Sequence, residues 1–199
     1  MWLAYEKSRT GIIDGGLVDD HSRELYHVSS ERTDKTTVRK LLVVEGSLPA
    51  HVPIAVIEWN AVGPDRIQLG NGSLDDVKHW LGKGGRFPSS RSFVAGQQRY
   101  EWHRDGSHWV LENTEGAQVA QSHNRSFGET PHSAYLDVNN DAVADLDLIV
   151  VSYVYLKILS KRKRERRQAV PFVDKSHGFI LGELNTLLYG SERQGSAQM

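Results

Sequence analysis

The segment from Ala142 to Ser160, AVADLDLIVVSYVYLKILS, constrains this chain more than any other stretch. Its apolar pattern outlasts an ordinary strand of about 5–6 residues. Asp141, Asp145 and Asp147 stand at its front, and Lys161, Arg162, Lys163 and Arg164 at its back. That order complements a helix macrodipole, which favours acids at the N-terminus and bases at the C-terminus. The pattern therefore predicts a helix over residues 142–163, even though Leu148–Tyr155 is rich in Val, Ile and Tyr, which locally favour a strand. From Leu148 to Leu159 only Ser152 and Lys157 interrupt the apolar surface, so the helix must be wrapped by protein or by lipid. A membrane span needs about 20 predominantly apolar residues, and this run is shorter. A barrel with the helix down its middle is the favoured solution.

The rest of the chain supplies the wrapping. Arg23–Ser29, Thr36–Val44, Ile54–Asn60 and Arg66–Leu69 are β-branched or aromatic runs bounded by turn residues. Further strands are expected at Gln118–Ser122 and His132–Val138. A short surface helix interrupts them, capped by Ser73 with Asp76 as its capping-box partner and with Leu74, Val77 and Leu81 on one face. Gly82, Gly84 and Gly85 end it. Asp105-Gly106 is a strong hairpin signal. As a two-residue loop it would set His103 opposite His108 and Trp102 opposite Trp109, with Tyr100, Trp102, Trp109 and Leu111 on the core face. A second tight turn at Gly96-Gln97 would pair Phe93 with Tyr100. Ile57-Glu58-Trp59 and Tyr100-Glu101-Trp102 form an internal echo that suggests two related halves.

These short strands followed by LDLIVVSYVYLKILSKRKRERR resemble the tubby C-terminal-like superfamily, with its LURP-one-related and phospholipid scramblase branches. The phrases IAVIEWN, RIQL, HWL and RYEW resemble an uncharacterised, mostly fungal branch of it. The resemblance runs from about Arg23 to Arg167. It implies a mainly β fold: a closed antiparallel barrel of about twelve strands enclosing a hydrophobic C-terminal helix. It implies no catalytic motif. Tubby-like relatives imply binding to anionic phospholipids, and scramblase relatives imply membrane attachment and calcium. The expected organisation is an N-terminal segment 1–22, a barrel domain 23–167 and a C-terminal tail 168–199.

Three clusters are candidate sites. Lys157, Lys161, Arg162, Lys163, Arg164, Arg166 and Arg167 against Glu165 give a local net charge of +6, leaving −7 for the rest of the chain. Such a run attracts anionic lipid, acts as a nuclear-import signal, or simply solvates the end of a helix. It could also touch nucleic-acid phosphates, but no aromatic residue is interleaved with it, which argues against a single-strand stacking platform, and nucleic acid is the less expected partner. Asp137, Asn139 and Asp141 match the front of a calcium loop, but Ala142 replaces the turn glycine and Leu148 the bidentate Glu. A polar loop is the simpler reading. His103 and His108, with Glu101 on the same side, could converge on a metal, yet they face away from the aromatic side and are expected in solvent.

With 24 Lys+Arg, 25 Asp+Glu and 39% hydrophobic residues the composition is that of a globular domain. The absence of cysteine excludes disulfides, thiolate zinc sites and thiol catalysis. No basic and apolar leader opens the chain, so a cytoplasmic location is expected, with a membrane surface or the nucleus as destinations for the basic run. No H-E-x-x-H, G-x-S-x-G or P-loop occurs, so no catalytic residue and no cofactor are assigned. In the tail, Ile180, Leu181, Leu184, Leu187 and Leu188 line one face of an amphipathic helix at 179–189, which is expected to dock on the barrel's outer surface, or else to serve self-association, a protein partner or a membrane. The function expected is that of a non-enzymatic binding module for anionic phospholipids such as phosphoinositides; the alternative is an interaction protein that uses the tail helix.

Overall fold

The structure, a computed structural model, describes residues 1–5, 14–32, 34–44, 47–87, 89–123 and 134–169. Met1–Ser160 make up one compact unit, and the residues from Lys161 onward a second. The expected tail helix at 179–189 lies outside the described residues.

Among the described residues thirteen strands form one antiparallel sheet. They are β1 (Trp2–Tyr5), β2 (Gly15–Val18), β3 (Glu24–Arg32), β4 (Lys35–Leu42), β5 (Ala50–Glu58), β6 (Arg66–Leu69), β7 (Asp75–Asp76), β8 (Gly82–Lys83), β9 (Arg91–Ala95), β10 (Gln98–Asp105), β11 (His108–Asn113), β12 (Gln118–His123) and β13 (Tyr135–Val138). A short helix, α1 (Val77–Trp80), lies between β7 and β8, and a 3₁₀ turn at Asn140–Asp145 leads into α2 (Leu146–Ala169). The order across the sheet is β7-β6-β5-β4-β3-β2-β1-β13-β12-β11-β10-β9-β8. Two meanders, β1–β7 and β8–β13, are thus joined where β1 pairs with β13. Residues 1–22, set apart in the sequence pattern, contribute β1 and β2 to the middle of the sheet.

The mainly β fold with a buried C-terminal helix is as expected. Ile149, Val150, Val151, Ser152, Tyr153 and Val154 are each no more than 1% exposed. Six consecutive positions at 100° per residue face every direction, so the helix is enclosed on all sides. Strands of both meanders hold it. Tyr26 Oη donates to Asp147 Oδ1 at 2.6 Å and Lys40 Nζ lies 2.9 Å from the same oxygen. Tyr100 Oη donates to Asp145 Oδ2 at 2.7 Å, and Tyr155 Oη to Asp65 Oδ2 at 3.1 Å. Among the described residues no helix is long and apolar enough to cross a membrane.

The closed barrel is corrected: the ladder has two free ends, β7 and β8. Each is two residues long, and α1 occupies the gap between them. Val77 and Leu81 turn inward there and are buried, so a helical turn seals the core where a further ladder would otherwise run. That helix is shorter than expected and Ser73 does not cap it. The β6–β7 ladder takes up Asp75 and Asp76, which leaves Asp76 at the N-cap.

The hairpin register is also corrected. The loop is Gly106-Ser107, with Asp105 opposite His108, His103 opposite Val110 and Trp102 opposite Leu111. Gly106 takes the positive φ of +54° as the first loop residue, as Gly96 does at +56° in the turn before it. The shift relative to the expected pairing is two residues. Side chains alternate with period 2, so the expected core face survives. The Gly96-Gln97 turn pairs Phe93 with Tyr100 as expected.

Candidate functional site

The α2 helix carries the basic run to its C-terminal end. Lys163, Arg164, Arg166 and Arg167 are exposed, and Lys161 and Arg162 are partly covered. Lys161 Nζ lies 3.8 Å from Glu165 Oε1, one turn on. At 100° per residue the six cations point all round the helix and do not form one stripe. Lys163 and Arg167 are four apart, as are Arg162 and Arg166, and such like-charge pairs disfavour the helix slightly. The helix dipole offsets this, because the cations sit at its negative end. Earlier on the helix Lys157 behaves differently. Burial, then the nearby Arg104, pull its pKa below the usual lysine value. Its Nζ rests 5.7 Å from the Tyr153 ring centroid.

The calcium-loop candidates lie at the end of β13 and in the turn that leads into α2. Asp137, Asn139 and Asp141 are exposed. Asn139 Nδ2 donates to the Gln118 carbonyl at 2.7 Å, tying the segment to β12. Among the described residues no group of three His, Cys, Asp or Glu side chains is placed to hold a metal ion.

The histidine pair is corrected. His103 and His108 share a face but are not opposite one another, and His103 is buried. The Phe87 ring stacks on it at 3.9 Å between centroids, and its Nε2 lies 4.0 Å from Glu112 Oε1. His108 Nδ1 donates to the Ser122 carbonyl at 2.7 Å.

Glu101 explains what covers His103. Its Oε1 accepts from Arg86 N at 2.9 Å, Phe87 N at 3.3 Å and Ser90 Oγ at 2.6 Å, so the loop after β8 folds round this carboxylate. Gly84 is required there, because a Cβ would overlap Ser90 Oγ and the Glu101 carboxyl. Burial alone pushes the Glu101 pKa up, but the bonds from Ser90 and from the backbone of Arg86, Phe87 and Gly85 outweigh it. The net value is held below that of an ordinary glutamate. A depressed folded pKa stabilises the protein above the unfolded value of about 4.3, and the contribution is lost as pH falls through the folded value. Glu101→Gln is therefore expected to cost about 1–2 kcal/mol at pH 7, discounted for partial exposure, and almost nothing at pH 2. Urea midpoints of both proteins across this range check it; a constant difference would contradict the carboxylate's role.

One recess lies at the β8 edge of the sheet. His79, Trp80, Lys83, Phe93, Val94 and Arg99 line a cleft of about 320 Å³ beside β8 and β9. No sequence pattern marks it, since its lining comes from α1, β8, β9 and β10.

Residues 9–164 match the family described as a family of unknown function, DUF6593. The chain belongs to that family. The DUF6593 match takes in every strand from β2 to β13 and α2 as far as Arg164, and leaves β1 outside. It therefore includes the enclosed part of the helix, the cleft and the first four residues of the basic run from Lys161. The chain matches no curated protein and no solved structure.

Proposed function

We propose that this protein is a non-enzymatic module that binds anionic phospholipid surfaces through the C-terminal end of α2. One observation carries the reading: Lys163, Arg164, Arg166 and Arg167 are exposed within five residues, with Glu165 the single acid among them. Near an anionic membrane each such cation contributes about 1 kcal/mol. The resemblance to tubby-like proteins points to the same ligand class, and phosphoinositides are its first candidates.

Co-sedimentation with phosphoinositide-containing and neutral vesicles tests the proposal. Binding is expected to anionic vesicles only and to weaken as salt rises. Replacing Lys163, Arg164, Arg166 and Arg167 together by Gln removes about 4 kcal/mol, roughly a thousandfold in affinity. Binding that survives this replacement overturns the mechanism.

A further inference from the structure

Two cations face each other where α2 leaves the core. On β10 the side chains of Tyr100, Trp102 and Arg104 share the inner face, opposite Asn113, Leu111 and Trp109 of β11. Tyr100 Oη reaches Asp145 at 2.7 Å and Trp102 Nε1 reaches Ser152 Oγ at 2.8 Å, so β10 runs along α2 in the same direction. Trp102 also stacks on Tyr153. From Trp102 to Arg104 the strand advances about 6.6 Å. From Tyr153 to Lys157 the helix advances about 6 Å. Arg104 therefore comes level with Lys157.

Both cations are held in place. Arg104 Cζ lies 4.7 Å from the Trp109 ring centroid, and its Nη1 donates to the Ser107 carbonyl at 3.0 Å, which leaves other N–H groups of the guanidinium to bind. Lys157 Nζ rests 5.7 Å from the Tyr153 ring centroid. Burial, and after it the charge of Arg104, lowers the Lys157 pKa. Among the described residues no carboxylate pairs with either cation. Asp105 follows Arg104 but faces the other side of the strand, opposite His108. Asp65 meets α2 through Tyr155, about 200° round the helix from Lys157. A half-buried ammonium beside a guanidinium is costly unless an anion joins them. Arg104 is exposed and Lys157 partly so, and an anion can reach both from solvent. Two cations match a dianion, with a fork of donors on one side and a point charge on the other.

We infer that Lys157 and Arg104 together bind a phosphate group at the mouth of the core. The phosphate belongs to a soluble ester or to a phospholipid headgroup, and both sources present the same dianion to the two side chains. The site is independent of the exposed cations from Lys163 to Arg167.

Thermal unfolding of the full chain at pH 7, in inorganic phosphate and in chloride of equal ionic strength, tests the inference. An anion that binds only the folded chain raises the midpoint by roughly 3–6 °C at ten times its dissociation constant. A rise of that order is expected in phosphate, beyond the general stabilisation by this salt that every variant shares. Lys157→Met keeps the bulk of the stem without its charge, and Arg104→Gln alters an exposed side chain. Each is expected to lose most of the extra rise. Replacing Lys163, Arg164, Arg166 and Arg167 by Gln leaves the rise intact, so this inference and the membrane reading fail separately. Co-sedimentation with vesicles containing phosphatidylinositol phosphate names the source. Binding weakened at least tenfold by Lys157→Met assigns the phosphate to a headgroup; vesicle behaviour unchanged by it, with the phosphate rise lost, assigns it to a soluble ester. A rise equal in the unsubstituted chain and both single variants, or no extra rise in phosphate at all, overturns the inference.

Discussion

Replacing Trp102 by alanine is expected to remove about 3–5 kcal/mol of folding stability, the range for truncating a large buried aromatic side chain. Trp102 is 0% exposed and packs on Tyr153 of α2 with ring centroids 5.7 Å apart. Its indole Nε1 donates to Ser152 Oγ at 2.8 Å, and that hydroxyl donates to the Ile149 carbonyl at 2.9 Å. Alanine therefore leaves a cavity against the helix and removes a buried hydrogen bond. Trp102→Phe fills most of the space and removes mainly the bond, so a smaller loss of about 1–2 kcal/mol is expected. Urea unfolding followed by far-ultraviolet circular dichroism measures both. Equal losses would place the energy in the hydrogen bond and not in the packing.

The second large effect is expected at Trp59, which braces the helix from the other meander. Trp59 follows β5, is buried, and stacks on Tyr155 with centroids 5.2 Å apart and planes 2° from parallel. Its Nε1 donates to Thr36 Oγ1 at 2.9 Å. Trp59→Ala is expected to cost about 3–5 kcal/mol by the same reasoning. The two tryptophans touch different tyrosines, so their losses should nearly add. The sum, about 6–10 kcal/mol, rivals the whole stability of an ordinary domain. The double variant should therefore show no cooperative unfolding at 25 °C. A double variant only as unstable as the worse single one would mean that the two sides do not brace the helix independently.

These two residues belong to the Glu-Trp echo of the sequence, and they show what such an echo can reveal. Both lie on or beside the third strand from a free end of the sheet, β5 and β10. The chain approaches one free end after β5 but leaves the other before β10, so the pairs are not matching positions in a tandem repeat. What relates them is a shared partner, the helix.

Local chemistry decided the features that were legible. Arg66–Leu69 is bounded by turn residues and forms β6 with those limits. The acidic front and basic back of α2 announced its direction, and the exposure of Lys163, Arg164, Arg166 and Arg167 follows from their charge. Contacts between distant residues decided the others. β1 and β2 are four residues each, too short to show alternation, and β1 gains its place by pairing with β13. His103 was expected in solvent because nothing in the sequence pattern reveals that Glu101 gathers Arg86, Phe87 and Ser90 and brings the Phe87 ring over the imidazole. Arg99 is tied to the backbone of β8 through Ser92, whose hydroxyl also meets the Lys83 carbonyl, and no spacing in the sequence marks that link. The free ends of the ladder depend on whether two residues of β7 could reach two of β8, and α1 stands between them.

The pairing of β1 with β13 also orders events in time. The other ladders join strands that follow one another in the chain, so each meander can zip up locally and quickly. Trp2 meets Asp137 and Leu3 meets Leu136 only after a loop of more than 130 residues has closed. The helix that both meanders grip is the next element made. Joining the halves and seating α2 thus fall together once α2 has been made, and they form the slow, all-or-none step through which the protein must pass to acquire its interior.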